Sequence, residues 1–262
     1  MAALAFGSEL KDWRGRRRVS QLDLGLAADV SARHVSFLET GRATPSRAMV
    51  LRLAEALEIP RSERNGLLRA AGFAPLYPAH GVGDAAVAPL AQAVDWLLDR
   101  HAPYPGFAID RHWNLKRANA PAAAMLAGVG LDLARGANLV DAFLDVAALR
   151  DAVVNLGEVL DMTMSRLKTE NAELGGDAVL AGYIARLEAD PARRSFADDT
   201  GALLPAVIAA KYRLGGRIMS VFSTIAQFGT VHDIGFADLR IELLFPADAE
   251  TAAAFKGTPV PG

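Results

Sequence analysis

Cysteine is missing from all 262 residues, which excludes a disulfide scaffold, a cysteine nucleophile and thiolate metal sites. The five histidines, His34, His80, His101, His112 and His232, show no metal-ligand spacing. His232-Asp233 is half of a metal phosphohydrolase signature without its companion motif. No glycine-rich phosphate loop occurs either, since Gly128-Val129-Gly130 is a lone turn. Lys211 could meet Ser220 or Ser223 across neighbouring strands, but the sequence context of a self-cleaving Ser/Lys dyad is lacking. Solvated or cross-strand pairing is the expected role. Apolar runs such as Leu203 to Ala210 fall far short of the roughly 20 residues a membrane span needs, and the first residues hold no signal-peptide core. The expectation is a soluble, cytoplasmic chain with no membrane partner, no catalytic residue, no metal and no obligatory cofactor.

Hydrophobic residues make up 52% of the sequence, enough for two domains of ordinary size. Charge divides them. Residues 1–77 carry 12 Lys/Arg against 8 Asp/Glu, a net of +4, and residues 78–262 carry 16 against 22, a net of −6. A positive first domain in a weakly acidic chain suits a phosphate-binding module. Arg16-Arg17-Arg18 is either a solvated helix end or a phosphate contact.

Within that positive part, SQLDLGLAADVSARHVSFLETGRATPS, residues 20–46, reads as two short helices meeting at a tight turn. Ser20 and Asp23 form a capping box for a helix from Gln21 to Ala28. Asp29 takes the turn, and Ser31 caps a second helix from Ala32 to about Thr40, which Gly41 ends with a left-handed residue. Val35 and Leu38, with Val30, point inward, while Ala32, Arg33, Ser36 and Phe37 fall on the other side. This is an ordinary helical hairpin or a groove-reading pair, for the major groove, about 12 Å wide, admits one helix.

The segment resembles the Xre family of lambda-repressor-like helix-turn-helix proteins at Ser20-Gln21, Ala27, Val30-Ser31, Val35-Ser36, Glu39, Gly41-Arg42 and Pro45-Ser46. Asp29 stands where that family usually has Gly; Asp tolerates the left-handed backbone better than most residues. The resemblance implies double-stranded DNA as partner. Gln21 would touch a phosphate, Ser31 and Arg42 would hold the backbone, and Ala32, Arg33, Ser36 and Phe37 would face base edges. Arg33 is then the candidate for a bidentate contact to guanine, and Ala32 or Phe37 for a thymine methyl. Arg14 and Glu39 match a buried ion pair of the family.

Around this pair the apolar spacing predicts a first helix over Phe6 to Arg17, a fourth capped by Ser46 and stopped at Pro60, and a fifth capped by Ser62 and closed by Gly72. The expected first domain, residues 1–77, is therefore all-α with five helices. Proline and glycine accumulate from Phe73 to Pro89, and residues 78–89 read as a linker. A helix from Leu90 to His101 follows, then a hairpin through Phe107 to Ile109 and Trp113 to Arg117, then a short helix capped by Asn119. Residues 140–190 look helical, with Val153, Leu156, Leu160, Met164 and Leu167 on one stripe. Ala206 to Leu214, Arg217 to Gln227 and Ala237 to Phe245 read as strands.

Two strands, helices and three strands make residues 90–255 an α+β domain. FAIDRHWNLKRANAPAAAMLAG, residues 107–128, resembles a PAS domain, whose antiparallel sheet is flanked by helices. With the preceding helix and the HAPYP segment it is similar to the ligand-binding domain of MmyB-like transcription regulators, although the helical stretch around 145–190 departs from the pattern. That resemblance implies an apolar effector, a fatty acid or acyl-like molecule. The residues expected around it are Phe107, Trp113, Leu115, Met125, Phe143 and Leu160, with Met164, Tyr183, Tyr212, Met219, Phe222 and Ile241; each is equally readable as plain core. Tyr104, Arg111 or His112 would meet a carboxylate. The expected protein is a homodimeric regulator on a palindromic operator, since one helix reads only a few base pairs. A second domain that merely dimerises, or that is an enzyme, stays open as an alternative.

Overall fold

A computed structural model of the chain describes residues 2–81, 83–131, 136–194, 208–229 and 231–257. Contacts divide it into two compact units, one of Met1–Ala79 with Glu170–Asp177 and His232–Ile234, the other of His80–Thr169, Ala178–Val231 and the chain from Gly235 onward. Among the described residues no helix is long and apolar enough to cross a membrane.

Five helices form the first unit: α1 (Ala2–Arg16), α2 (Gln21–Ala27), α3 (Ala32–Glu39), α4 (Arg47–Ala56) and α5 (Arg61–Ala70). Their starts follow from local chemistry. Ser20 Oγ accepts the Asp23 amide at 3.1 Å and donates to the Asp23 carboxylate at 2.6 Å. Ser31 and Ser46 accept the amides of His34 and Met49 at 3.1 and 3.2 Å. One expected cap is different: Ser62 lies inside α5, and Pro60, its φ of −54° already helical, leads the chain in. Asp29 and Gly41 take the left-handed backbone expected of them, at φ +53° and +71°. Phe6, Leu10, Leu24, Val35, Leu38, Val50, Leu53 and Leu68 are fully buried and form one core.

The stretch after α5 is more ordered than its composition suggests. Asn65 accepts the amides of Leu76 and Tyr77 at 3.0 and 3.1 Å and donates to the Tyr77 carbonyl at 2.7 Å, fastening the chain to the first unit. Asp84 then caps a single 3-10 turn, Ala85–Val87, that runs directly into α6 (Ala88–His101).

The second unit is a five-stranded antiparallel sheet in the order β2-β1-β5-β4-β3. Its strands are β1 (Gly106–Ile109), β2 (Leu115–Ala118), β3 (Ala210–Leu214), β4 (Arg217–Ala226) and β5 (Arg240–Pro246). Between β2 and β3 come α7 (Ala120–Gly128), α8 (Leu139–Asp145), α9 (Ala147–Ala152), α10 (Leu156–Glu173) and α11 (Ala178–Glu188); α12 (Ile234–Ala237) precedes β5 and α13 (Ala249–Phe255) follows it. Ala206 and Val207, expected to open the third strand, lie outside the described residues. The strand expected from Ala237 begins only at Arg240, because α12 and its turn occupy the residues before it.

Asn119 ties the hairpin together. It is buried; its side-chain oxygen accepts the amides of Gly106 and Ala122 at 3.0 Å each, and its nitrogen donates to the carbonyls of Leu98 and Tyr104 at 2.9 Å each. The end of α6, the start of β1 and the cap of α7 thus meet on one amide. At the opposite edge Val153 leaves the helical stripe expected of it and bridges Tyr212. The Val154 amide donates to the Lys211 carbonyl at 2.8 Å, and Asn155 bonds Ala209 and Lys211, so this loop covers the exposed edge of β3. Lys211 and Ser220 are direct cross-strand partners, with Lys211 exposed.

Pleat alternation gives the sheet two different faces. Ala108 and Ile241 face one way, into a core with Val94, Leu98, Phe236 and Leu239. Phe107 and Glu242, which sit opposite each other in the register, face the other way. That second face carries the site.

Candidate functional site

Two arrangements stand out, one in each unit. In the first, α2 and α3 pack through Gly25: a β-carbon there would lie 2.7 Å from the Val30 carbonyl oxygen, so the pair closes this tightly only around glycine. A bidentate ion pair fixes the end of α3 to α1. Arg14 Nε and Nη2 donate to the two Glu39 oxygens at 2.6 and 3.0 Å, and Arg14 Nη1 donates to the Val19 carbonyl at 2.9 Å. Gln21 Nε2 adds a third bond to Glu39 at 2.8 Å. Burial acts to raise the Glu39 carboxyl, but the bonds from Arg14 and Gln21 outweigh it and hold the group below the usual carboxylate range.

With Val35 and Leu38 fully buried, the opposite side of α3 is open. Arg33 is exposed, Ala32, Ser36 and Phe37 are half-buried, and the Arg33 guanidinium stands 5.2 Å over the Phe37 ring. Ser31 and Arg42 are exposed at the two ends. A packed helix pair with a guanidinium, a hydroxyl and a ring held clear of the core is the geometry of groove readout.

In the second unit, the face carrying Phe107 and Glu242 encloses, with the helices opposite, a cavity of about 550 Å³. Helix α10 presents Val159, Met162, Thr163 and Arg166 to it, a line at helical spacing. Met125, Leu126 and Val129 come from α7 and its end, Leu139 and Phe143 from α8, and Tyr212, Val221 and Phe222 from the outer strands. Most of this wall is apolar. Its charged members among the described residues are Arg166 and Glu242, and they pair with each other.

Trp113 completes that polar corner. The Asp110 carboxylate accepts the amides of His112 and Asn114 at 2.9 and 3.0 Å, forming a tight turn in which Trp113 takes a left-handed φ of +66°. A bulky residue held there is strained, and the turn delivers the ring to the cavity wall. Arg166 lies over it with its guanidinium carbon 4.4 Å from the ring centroid. Burial, with the neighbouring Glu242 charge, pushes the Tyr212 phenol well above its ordinary value, so it stays a neutral hydrogen-bonding group.

Residues 90–256 match the family model of the MmyB-like transcription regulator ligand binding domain. The chain belongs to the MmyB-like transcription regulators. Residues 5–67 match a helix-turn-helix domain model, so the protein is a DNA-binding transcription regulator with a ligand-sensing domain. A comparison with curated proteins finds no match.

The MmyB-like cavity takes in six of the residues expected from the sequence: Phe107, Trp113, Met125, Phe143, Tyr212 and Phe222. Others lie elsewhere, for identifiable reasons. Ile241 points to the opposite sheet face, one residue out of phase with Glu242. Leu160 and Met164 are buried on a different stripe of α10 from the one facing the cavity. Leu115 and Met219 are buried in β2 and β4 without lining it. Tyr183 donates to Asp141 at 3.0 Å, with Arg186 bonded to the same carboxylate. Burial and that carboxylate raise the Tyr183 phenol to about 12.

None of the three groups expected to meet a carboxylate lines the cavity. Tyr104 packs edge-on against Phe255 at 5.9 Å, Arg111 pairs with Asp238 at 3.6 Å, and His112 lies in the turn beside Asp110. The charged groups on its described wall are instead Arg166 and Glu242, 76 residues apart in sequence. A glutamate among the apolar residues Ile241, Leu243, Leu244 and Phe245 of β5 was the available signal.

The first unit also makes two internal contacts that its sequence pattern does not display. Gln21 spends its amide on Glu39, which ties it into the ion-pair network. Arg17 donates to the carbonyls of Leu57 and Glu58 at 3.2 Å each, a structural use of the basic run.

Proposed function

We propose that this protein is an Xre-type regulator that reads a palindromic operator as a homodimer and changes its DNA binding when an apolar small molecule, of the fatty-acid or acyl-like class, fills the cavity. The observation that carries the ligand reading is the cavity itself. Its volume of about 550 Å³ falls within the range of small-molecule sites, roughly 300–1,000 Å³, and such sites pair apolar walls with a few polar groups. Aromatic and aliphatic side chains from the helices and the sheet would surround a chain-like guest, and Arg166, Glu242 and Tyr212 would offer polar contacts to its head.

For DNA, the support is the open side of α3. Arg33 is free to swing from the Phe37 ring to a guanine edge, with Ser36 on the same helix and Ser31 and Arg42 just outside its two ends. A single such helix covers few base pairs, and two half-sites about 34 Å apart supply the rest of the affinity. The ligand acts only if it binds two states of the protein unequally.

The test is mass spectrometry of the denatured, purified protein together with thermal unfolding in the presence of fatty acids and their derivatives. Release of a copurified apolar compound, or a rise in Tm with added acyl chains, supports the reading. Absence of both contradicts it.

A further inference from the structure

The charges on the cavity wall specify more than an apolar guest. Among its described lining residues there is one full positive charge, Arg166, and one full negative charge, Glu242, already joined in an ion pair. Their side chains are 21% and 8% exposed, so both are largely removed from bulk water. A guanidinium offers donors only and an ionised carboxylate acceptors only. Side by side, they are complementary to a head group that carries an acceptor and a donor together.

An ionised head meets a different situation. A fatty carboxylate would place a second anion beside Glu242 and share its guanidinium, leaving the described wall of the site with a net negative charge. Charge uncompensated in such surroundings is strongly unfavourable. An alkylammonium meets the mirror problem at Arg166. A primary amide adds no charge: its carbonyl accepts from Arg166 and its N–H donates to Glu242, with the Trp113 ring fixing the plane of the guanidinium beneath.

We propose that the self-compensated Arg166–Glu242 pair makes the cavity selective for neutral acyl derivatives with a donor-acceptor head, such as amides, over the free fatty-acid anion, and that Glu242 sets this selectivity. This rests on the reading of the cavity as an apolar-ligand site and narrows it to a chemical class.

The experiment is calorimetric titration of the full-length protein at neutral pH with decanamide, decanoate and decylamine, repeated with Glu242→Gln. The expected result is that decanamide binds at least about tenfold more tightly than either ion. In Glu242→Gln the site becomes net positive, and decanoate should gain about tenfold relative to decanamide. Arg166→Met supplies a second variant, in which discrimination against decanoate should deepen. Decanoate binding to the unaltered protein as tightly as decanamide would overturn the proposal, as would a ratio that neither variant moves. If none of the three compounds binds, the apolar-ligand reading itself falls and this proposal with it; binding without head-group preference removes only the proposal.

Discussion

Replacing Arg14 by Met tests whether the Glu39 network holds the recognition helix. The Glu39 side chain is only 2% exposed and loses two of its three charge-assisted bonds, while Gln21 keeps the third at 2.8 Å. Removing one partner of a buried pair costs about 3–5 kcal/mol, whereas an exposed pair is worth under about 1 kcal/mol. Arg14 is 17% exposed and Met replaces its apolar stem, which places the cost near the lower end, about 3 kcal/mol at neutral pH. Amide exchange of α1–α3 peptides in the full-length chain reads this directly, and 3 kcal/mol corresponds to roughly a hundredfold faster exchange. The pH dependence has a definite sign. Because the folded Glu39 carboxyl titrates below its unfolded value, the network's contribution is complete above about pH 4.3 and is lost as pH falls through the folded value. The difference between the two proteins should therefore shrink in acid. Equal exchange at neutral pH, or a difference that persists unchanged at about pH 3, would refute the reasoning.

Three further substitutions probe other links. Arg33→Ala should cost about 1–3 kcal/mol of discrimination at one base step, measured on an operator and its single-base variants; equal weakening on every duplex would reduce Arg33 to a phosphate contact. Gly25→Val drives a side chain into the Val30 carbonyl, 2.7 Å from the new β-carbon, and should destabilise the helix pair by about 2 kcal/mol and weaken DNA binding with it. Met162→Trp fills the cavity from α10; it should abolish ligand-induced shifts in Tm while leaving DNA affinity without ligand intact. A full ligand response in that variant would move the binding site elsewhere.

The helix pair was legible because its determinants are local. A capping serine, an apolar spacing of three and four residues and a left-handed glycine all act within one or two turns of chain. The positions of the strands along the chain were legible in outline for a related reason, since runs rich in Val, Ile, Phe and Tyr between turn residues mark them locally. What the sequence did not show is how elements distant along the chain face one another. Arg166 and Glu242 carry no sign of their pairing, whereas Tyr104, Arg111 and His112, polar groups in and around the hairpin, lie outside the cavity wall. Phase was the other difficulty: Ile241 and Glu242 are neighbours with opposite fates, and Leu160 and Thr163 lie less than a turn apart on α10 yet face different surroundings. Apolarity marks a residue as inside; it does not separate a packed core from the wall of a cavity. Asn65 and Asn119 show the same limit, each a single amide organising segments that composition alone reads as loop or cap.

Coupling between the cavity and α3 is most directly measured as operator affinity with and without a cavity ligand, using full-length protein and a duplex enriched from a random library. Affinity of the unaltered protein should change several-fold on addition of ligand, and ligand affinity should change by the same factor when operator is present. The Met162→Trp variant should bind the duplex without responding. An operator affinity indifferent to a ligand that demonstrably occupies the cavity would contradict a ligand-responsive regulator.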